Sequence, residues 1–587
     1  MRSPPHEKKN KNKNIKERNT TMTKTLKRIV SLLITTIMIV TMGTAVFAAT
    51  GSFDITIKKP ADDTAKHTYT AYQIFKGDVY ENTLNGEKTL INIEWGDHID
   101  GVGFLNELQQ ENPTAFNGCT TAAEVAQKLD EYPAFAYDFA NIAMKHLKDT
   151  DTASTAVIAA NSGVNTATIT VDSEGYYLIA DEIDQTDGNG ALSKHMLMVV
   201  DVHTAASATT PIQAKEDLPS VDKNIVDASG NKKKFNTASV GEVLTFEITS
   251  SVPDVSEYKG YYFIVNDSLS AGFDYVGNLT VTVGGTAYSA YTADVNGNDI
   301  KIVFNEAKTN FTGRHGDEIV ITYEAKLNEK ADRTDTGNPN TVSLTYANNP
   351  NYNYQGTNEP ANGEPTGETP KVVTKTYTTD FSLIKIDSGS GKRLGSAEFQ
   401  VTLAGTVTNQ VVVETEEYAL GTGATVYYKL KDGSYTATAP GGTIADDKYE
   451  STTDTYVKTT KTEIKNSTTG TTVTATVDDQ GYLCFAGLGA GTYKLKEVKA
   501  PTGYVLSDHE YTIEIAATPD LNSANWTYSV DGAAASSQKI ELEIKNTMNT
   551  LPQTGGMGTT VFYIAGSVLL AAGVVLLITK KRIESNK

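Results

Sequence analysis

A lysine on an apolar strand face is a candidate nucleophile, and the segment 381–387 (FSLIKID) carries one. Successive strand side chains alternate between faces, so Phe381, Leu383 and Lys385 share one face, and the apolar pair carries the amine inward. Burial penalises an ammonium, lowers its pKa and makes a neutral, attacking amine accessible. The other reactive residue types stand in patterns that lead nowhere. The eight histidines are scattered, and no Ser/His/Asp or Cys/His grouping points to a turnover enzyme. Cys119 and Cys484 are too few and too far apart for a disulfide scaffold, and no Cys/His cluster has zinc spacing. Residues 294–299 (DVNGND) imitate the start of a calcium loop. Position six is Asp299 rather than Gly and position twelve is Asn305 rather than Glu, so a hairpin turn is predicted there. No metal and no cofactor is expected.

The elements that must position Lys385 read as β. Short alternating runs rich in Val, Ile, Thr and Tyr, such as 243–249 (VLTFEIT), 318–325 (EIVITYEA) and 539–545 (KIELEIK), are separated by Gly, Asn and Asp turns. The exception is 120–148, whose apolar spacing predicts two amphipathic helical stretches broken near Pro133. With 587 residues the chain has room for three or four domains. Its net charge of −20 hides an asymmetry, because residues 1–48 carry ten Lys/Arg against two Asp/Glu. The body at 49–554 is therefore strongly acidic, which argues against nucleic acid or anionic lipid as its ligand. Composition shifts at 205–219 and 348–370 mark boundaries, and tandem all-β sandwiches are the expected architecture, the first with helical insertions.

Both ends are addresses. A basic run at 22–28, an apolar stretch at 29–42 and small residues at 46–48 make a secretory signal peptide, with Met1 and Met22 both open as the start. At the other end Leu551, Pro552, Gln553, Thr554 and Gly555 precede about 21 mostly apolar residues (559–579) and the basic cluster Lys580, Lys581, Arg582. The apolar stretch is long enough for a transmembrane helix, with the basic tail on the cytoplasmic side. This tripartite signal resembles the cell-wall sorting signal read by sortase transpeptidases of Gram-positive bacteria. The resemblance implies cleavage between Thr554 and Gly555, with the Thr554 carbonyl passed to an amine.

Residues 493–504 (YKLKEVKAPTGY) resemble the E-box, Y-x-L-x-E-x-x-A-P-x-G-Y, of Cna B-type domains in Gram-positive pilins, agreeing at every fixed position. In that family a first-strand Lys, a last-strand Asn and the E-box Glu form a self-generated isopeptide bond. Carried over, the resemblance implies Lys385, Asn546 and, as the catalytic acid, Glu497. Burial would raise the pKa of such an acid, letting it polarise the carboxamide and shuttle protons, while neighbouring strands hold amine and carbon together. Lys385 and Asn546 are 161 positions apart, longer than in compact members, and 451–475 reads as an inserted hairpin or loop. The stretch 214–358 resembles the middle, isopeptide-forming domain of the same pilins through 219–223 (PSVDK), 239–246 (SVGEVLTF), 265–269 (VNDSL) and 340–346 (NTVSLTY). The implied triad is Lys223, Asp267 and Asn340, with Asn348 an alternative acceptor and Glu247 an alternative acid. Each bond would run from first to last strand, so that pulling could not peel the sandwich.

The first domain resembles the N-terminal domain of such pilins at 69–77 (YTAYQIFKG) and 175–180 (GYYLIA). Lys58 and Lys59 stand where a third bond could begin, but no clean E-box accompanies them. Lys215, at the end of that domain, occupies the place of the family's intersubunit linkage lysine, although the Tyr-Pro pair expected before it is missing. The expected organisation is an N-terminal extension and signal peptide at 1–48, then an N-terminal pilin domain at 49–213. A middle isopeptide-forming domain at 214–358, a linker at 359–375, a Cna B-type domain at 376–548 and the sorting signal at 549–587 follow. The whole reads as the major subunit of a sortase-assembled, peptidoglycan-attached pilus, whose partners are sortase, identical subunits and minor pilins. The membrane is a partner only before sorting, nucleic acid is none, and the alternative is a monomeric wall-anchored adhesin.

Overall fold

The computed structural model describes residues 51–81, 88–184, 189–202, 211–214, 218–404, 410–466, 472–535, 539–549 and 558–585. The expected signal peptide, Lys215 and the LPQTG pentapeptide at 551–555 lie outside the described residues. Alternating β-branched and polar residues give strands almost throughout, and these assemble into three successive blocks of two main sheets each, the third with a further two-stranded sheet, Tyr428–Lys429 with Tyr435–Thr436.

In the first block the strand Gly175–Asp184 is buried on both faces along most of its length. Tyr176, Leu178 and Ala180 pack against Phe104, Val125, Leu129 and Phe139 of a helical layer. Tyr177 and Ile179 point the other way, onto Ile55, Ile57 and Ile169 of a three-stranded sheet. The expected helical stretches are Ala122–Glu131 and Ala136–Lys145, with the 3₁₀ turn Pro133–Phe135 between them. Thr121 and Glu124 open the first with a reciprocal capping box, and Pro133, which lacks an N–H, ends it. Two further helices, Gly101–Glu111 and Pro113–Phe116, were not anticipated, since the inner face of the longer one is marked only by Phe104, Leu105 and Leu108 beside the buried Gly101, and two glycines stand in its first turn.

The middle block stacks two sheets over a core containing Phe246, Tyr323, Val342 and Leu344. One sheet has Val221–Val226, Val243–Ser251, Glu318–Leu327 and Phe273–Val283 as consecutive neighbours. The other runs Val372–Tyr377, Asn338–Ala347, Phe263–Leu269, Asp299–Phe304 and Tyr291–Asn296. The calcium-loop lookalike is the turn of a hairpin in that sheet, Asn296 facing Asp299 across a left-handed Gly297. The stretch 359–375 is not the free linker its Asn/Pro/Gly-rich composition suggests. It contains Thr366–Glu368 and most of Val372–Tyr377, both paired with Asn338–Ala347, because its turn-forming first half leads straight into a β-branched run.

The third block has Gln410–Leu420, Tyr482–Leu488, Thr379–Asp387 and Ile540–Asn546 side by side in one sheet, with Glu398–Ala404, Gly491–Lys499 and Glu510–Ala516 in the facing one. Part of the expected insertion is the strand Tyr456–Asn466, paired along its whole length with Gln410–Leu420. A single residue, Thr378, separates the last strand of the middle block from the first of the third. Across this joint Arg333 grips Glu414 at 2.9 and 3.0 Å, and the Tyr377 hydroxyl donates to the Asp520 carbonyl at 2.9 Å. Both cysteines are buried and unpaired. The C-terminal helix Gly558–Glu584 is long and apolar enough to cross a membrane.

Candidate functional site

The strand Thr379–Asp387 buries every second residue as far as Lys385, which falls on the inner face with Phe381 and Leu383. Its parallel neighbour Ile540–Asn546 sets Ile544 beside Lys385 and Asn546 beside Asp387, so the amine and the carboxamide come from adjacent strands. Glu497 reaches in from Gly491–Lys499 on the facing sheet. Lys385 Nζ donates to Asn546 Oδ1 and lies 3.2 Å from Glu497 Oε1. That same Oε1 accepts from Asn546 Nδ2 at 3.0 Å, while Oε2 is fixed by the Ser507 N–H at 2.9 Å. All three side chains are buried to within 2%. Burial pulls the Lys385 pKa below the usual lysine range against the opposing pull of Glu497. One carboxylate oxygen therefore touches both the nucleophile and the nitrogen that would leave.

The middle block brings together Lys223 from Val221–Val226, Asp267 from Phe263–Leu269 and Asn340 from Asn338–Ala347, all buried. Here the amine and the amide face each other across the two sheets instead of along one. Lys223 and Asp267 form an ion pair. Burial holds the lysine down at about 8 and pushes the Asp267 carboxyl up. Asp267 has no hydrogen bond to Asn340; the Tyr323 hydroxyl stands between them. It accepts from Lys223 Nζ at 2.9 Å and from Asn340 Nδ2 at 2.6 Å, and donates to Asp267 Oδ1 at 2.9 Å. Asn340 Oδ1 is buried with no hydrogen-bond partner among the described residues.

The two alternatives raised for this triad lie elsewhere. Glu247 pairs with Lys232 at 2.5 Å. The Asn348 carbonyl accepts from Leu192 N of the first block at 2.8 Å. Asn340 is also not on the last strand of its block, because Val372–Tyr377 follows it and pairs with it. The expectation of a first-to-last crosslink therefore fits the third block only, since the linker-like composition concealed the later strands.

Sequence reasoning missed Tyr323. The signal was present in 318–325, where alternation puts one hydroxyl on a face otherwise made of Ile319, Ile321 and Ala325. It also missed a buried charge cluster in the first block. Lys58 is exposed, but Lys59 is buried, and its amine donates to Asp63 Oδ1 at 3.0 Å and to the carbonyls of Asp63 and Ala65. His67 bridges Asp63 at 3.0 Å and Asp181 at 3.0 Å, and these carboxylates raise its pKa to about 10 against the cost of burial. The ammonium of Lys59 is thus held by acceptors, with no carboxamide among its partners in the described residues.

Comparison with known proteins matches residues 442–529 to the SpaA family, a prealbumin-like fold domain, and residues 543–585 to the LPXTG cell wall anchor motif. The chain is 25% identical over 395 residues to the trypsin-resistant surface T6 protein of Streptococcus pyogenes serotype M6, covering 63% of this chain and 70% of that one. It is also 25% identical over 393 residues to the fimbrial subunit type 2 of Actinomyces naeslundii, covering 64% and 63%. Among solved structures, the T6 backbone pilin of serotype M6 Streptococcus pyogenes aligns over 86% of this chain and 100% of its own, with a TM-score of 0.49 at 18% identity.

Proposed function

We propose, from the premise that this chain belongs with the sortase-assembled pilus backbone subunits and is anchored at the cell wall, that it is the major structural subunit of a covalent pilus. Sortase cleaves after Thr554 and passes its carbonyl to Lys215 of the next subunit, and the finished polymer, carrying minor pilins, is joined to peptidoglycan. Lys215 follows directly on Ala214, whose N–H is bonded to the Lys58 carbonyl at 2.8 Å as the segment Ile212–Gln213 pairs with the first strand. The two blocks downstream lock themselves with Lys–Asn amide bonds, Lys385 to Asn546 and Lys223 to Asn340.

The observation that carries this reading is the buried Lys385–Glu497–Asn546 triad. Proton transfer from Lys385 to Glu497 yields a neutral amine, which attacks Cγ of Asn546. The acid returns a proton to Nδ2, the attacking nitrogen gives up its own to the carboxylate, and ammonia leaves. The chemistry happens once and uses no cofactor. Because both groups are presented by packed strands, the encounter is prepaid by folding.

The test is the intact mass of the exported chain, which should fall short of the sequence mass by about 17 Da per bond through ammonia loss. Two bonds are expected, and Glu497→Ala should abolish the one in the third block. Co-expression with a pilus sortase should give a high-mass ladder that disappears on Lys215→Ala. A full sequence mass would overturn the internal bonds, and a single band throughout would favour a monomeric adhesin.

A further inference from the structure

The two triads differ in one respect that their shared chemistry does not explain. In the third block the glutamate itself holds the departing nitrogen, Glu497 Oε1 accepting from Asn546 Nδ2 at 3.0 Å. In the middle block the acid is an aspartate, one methylene shorter, and the gap to Asn340 is filled by the Tyr323 hydroxyl. That hydroxyl is within hydrogen-bond distance of the nucleophile, the acid and the leaving group at once. It is also the only hydrogen-bond partner found for the Asn340 side chain among the described residues. From this geometry, and resting on the amide-bond reading above, we infer that Tyr323 is a fourth catalytic residue of the middle block, relaying the proton of Asp267 to the departing amide nitrogen.

Lys223 gives a proton to Asp267 and attacks Cγ of Asn340, forming the new C–N bond and a tetrahedral centre. As Nδ2 becomes pyramidal its lone pair turns basic, and the hydrogen bond it had donated to Tyr323 reverses. Tyr323 passes its hydroxyl proton to Nδ2 while taking the proton of Asp267, so the phenol is regenerated. The attacking nitrogen returns a proton to the carboxylate, the C–Nδ2 bond breaks, and ammonia departs. Burial next to Asp267 keeps the phenol protonated throughout, as a relay requires. A purely apolar role is excluded by placement, since a buried hydroxyl with three polar partners does not serve packing.

The test follows amide formation during cell-free synthesis of the whole exported chain, quenched in acid at intervals, by quantifying the Lys223–Asn340 crosslinked peptide. The Lys385–Asn546 peptide of the same molecules is the internal clock. Tyr323→Phe should slow the middle bond about a hundredfold, the scale of a lost general acid, and leave the clock unchanged. The double variant Asp267→Glu/Tyr323→Phe should recover most of the rate, because the longer acid can then reach the amide directly. Equal rates in wild type and Tyr323→Phe would overturn the relay while leaving the amide bond standing. No middle crosslink in wild type would overturn the bond itself and the relay with it. Thermal unfolding of Tyr323→Phe against uncrosslinked Asn340→Ala separates chemistry from packing. A middle block less stable than that reference would make the hydroxyl's role structural and refute the assignment.

Discussion

Replacing Asn546 by Ala removes the acceptor of the third block while leaving Lys385 and Glu497 paired at 3.2 Å. No buried charge is orphaned, so the change isolates the crosslink more cleanly than loss of either charged partner. The proposed amide bond between Lys385 and Asn546 would close a loop of 161 positions. In the chain-entropy treatment developed for disulfides, applied to this amide, restricting an unfolded loop of that length stabilises by about 5 kcal/mol. For a block of about 170 residues the entropy of unfolding converts this into a fall in Tm of roughly 10–15 °C. Scanning calorimetry of the exported chain should show one transition dropping by that amount while the transition of the middle block stays in place. Glu497→Ala should fall further, because it leaves the Lys385 amine buried without its carboxylate, a loss worth about 3–5 kcal/mol when one partner of a buried pair is removed. A shift below about 3 °C in Asn546→Ala, with the wild-type crosslink demonstrated by peptide mapping, would refute the entropic argument.

Two further outcomes are expected. His67 in the first block has a folded pKa of about 10, above its unfolded value, so its contribution is fully present below pH 6.5 and is lost as pH rises through 10. The first-block transition should therefore fall between pH 7 and pH 10 in wild type and stay flatter in His67→Gln; parallel profiles would count against the Asp63–His67–Asp181 bridge. Arg333→Ala cuts the paired contact to Glu414 at the joint between the middle and third blocks, at a cost of about 1 kcal/mol or more for a partly buried, two-bonded pair. Small-angle scattering should then show a wider distribution of interblock angles, and an unchanged distribution would assign the stiffness to Thr378 and the remaining contacts of the joint, such as Tyr377 to Asp520 and Val240 to Gly487.

What the sequence disclosed depended on how local the determinant was. Lys385 could be placed from FSLIKID alone, since strand alternation fixes its face, and Pro133 marked the helix break by its missing N–H. Gly101–Glu111 escaped because its inner face carries only Phe104, Leu105 and Leu108 as large apolar residues, and Gly101 and Gly103 in its first turn weaken the helical signal. Tyr323 escaped for a different reason. Nothing in ITYEA says that this tyrosine, rather than any other of the 30 in the chain, lies under a lysine and against an asparagine from the opposite sheet. The strand pairing that carries Val372–Tyr377 back along Asn338–Ala347 is likewise non-local, and composition pointed the wrong way.

That pairing changes the mechanical expectation. With both amide bonds in place, tension entering at Lys215 would pass to Lys223, cross to Asn340 and then follow the backbone to Thr379 before reaching the third-block bond. Residues 341–378 lie on this path outside either covalent loop. Of these, 341–347 stay paired with 262–269 in the sandwich. By contrast, 348–378 are held by the antiparallel pairs Asn338–Thr376 to Val342–Val372 and Thr345–Glu368 to Ala347–Thr366 and by the short parallel pairing of Phe235–Thr237 with Lys375–Tyr377. Under load these ladders can unzip while both sandwiches stay locked. At about 3.4 Å per extended residue, the 31 residues 348–378 would release roughly 8 nm once the folded separation is subtracted. Pulling a single subunit between cysteines placed at Lys215 and Thr554 should therefore give one short reversible extension of that size, and no other before covalent rupture. Complete rigidity would mean that the ladder is braced by contacts stronger than strand pairing. A release several times longer, matching the 161-position loop, would mean that the third-block crosslink is absent.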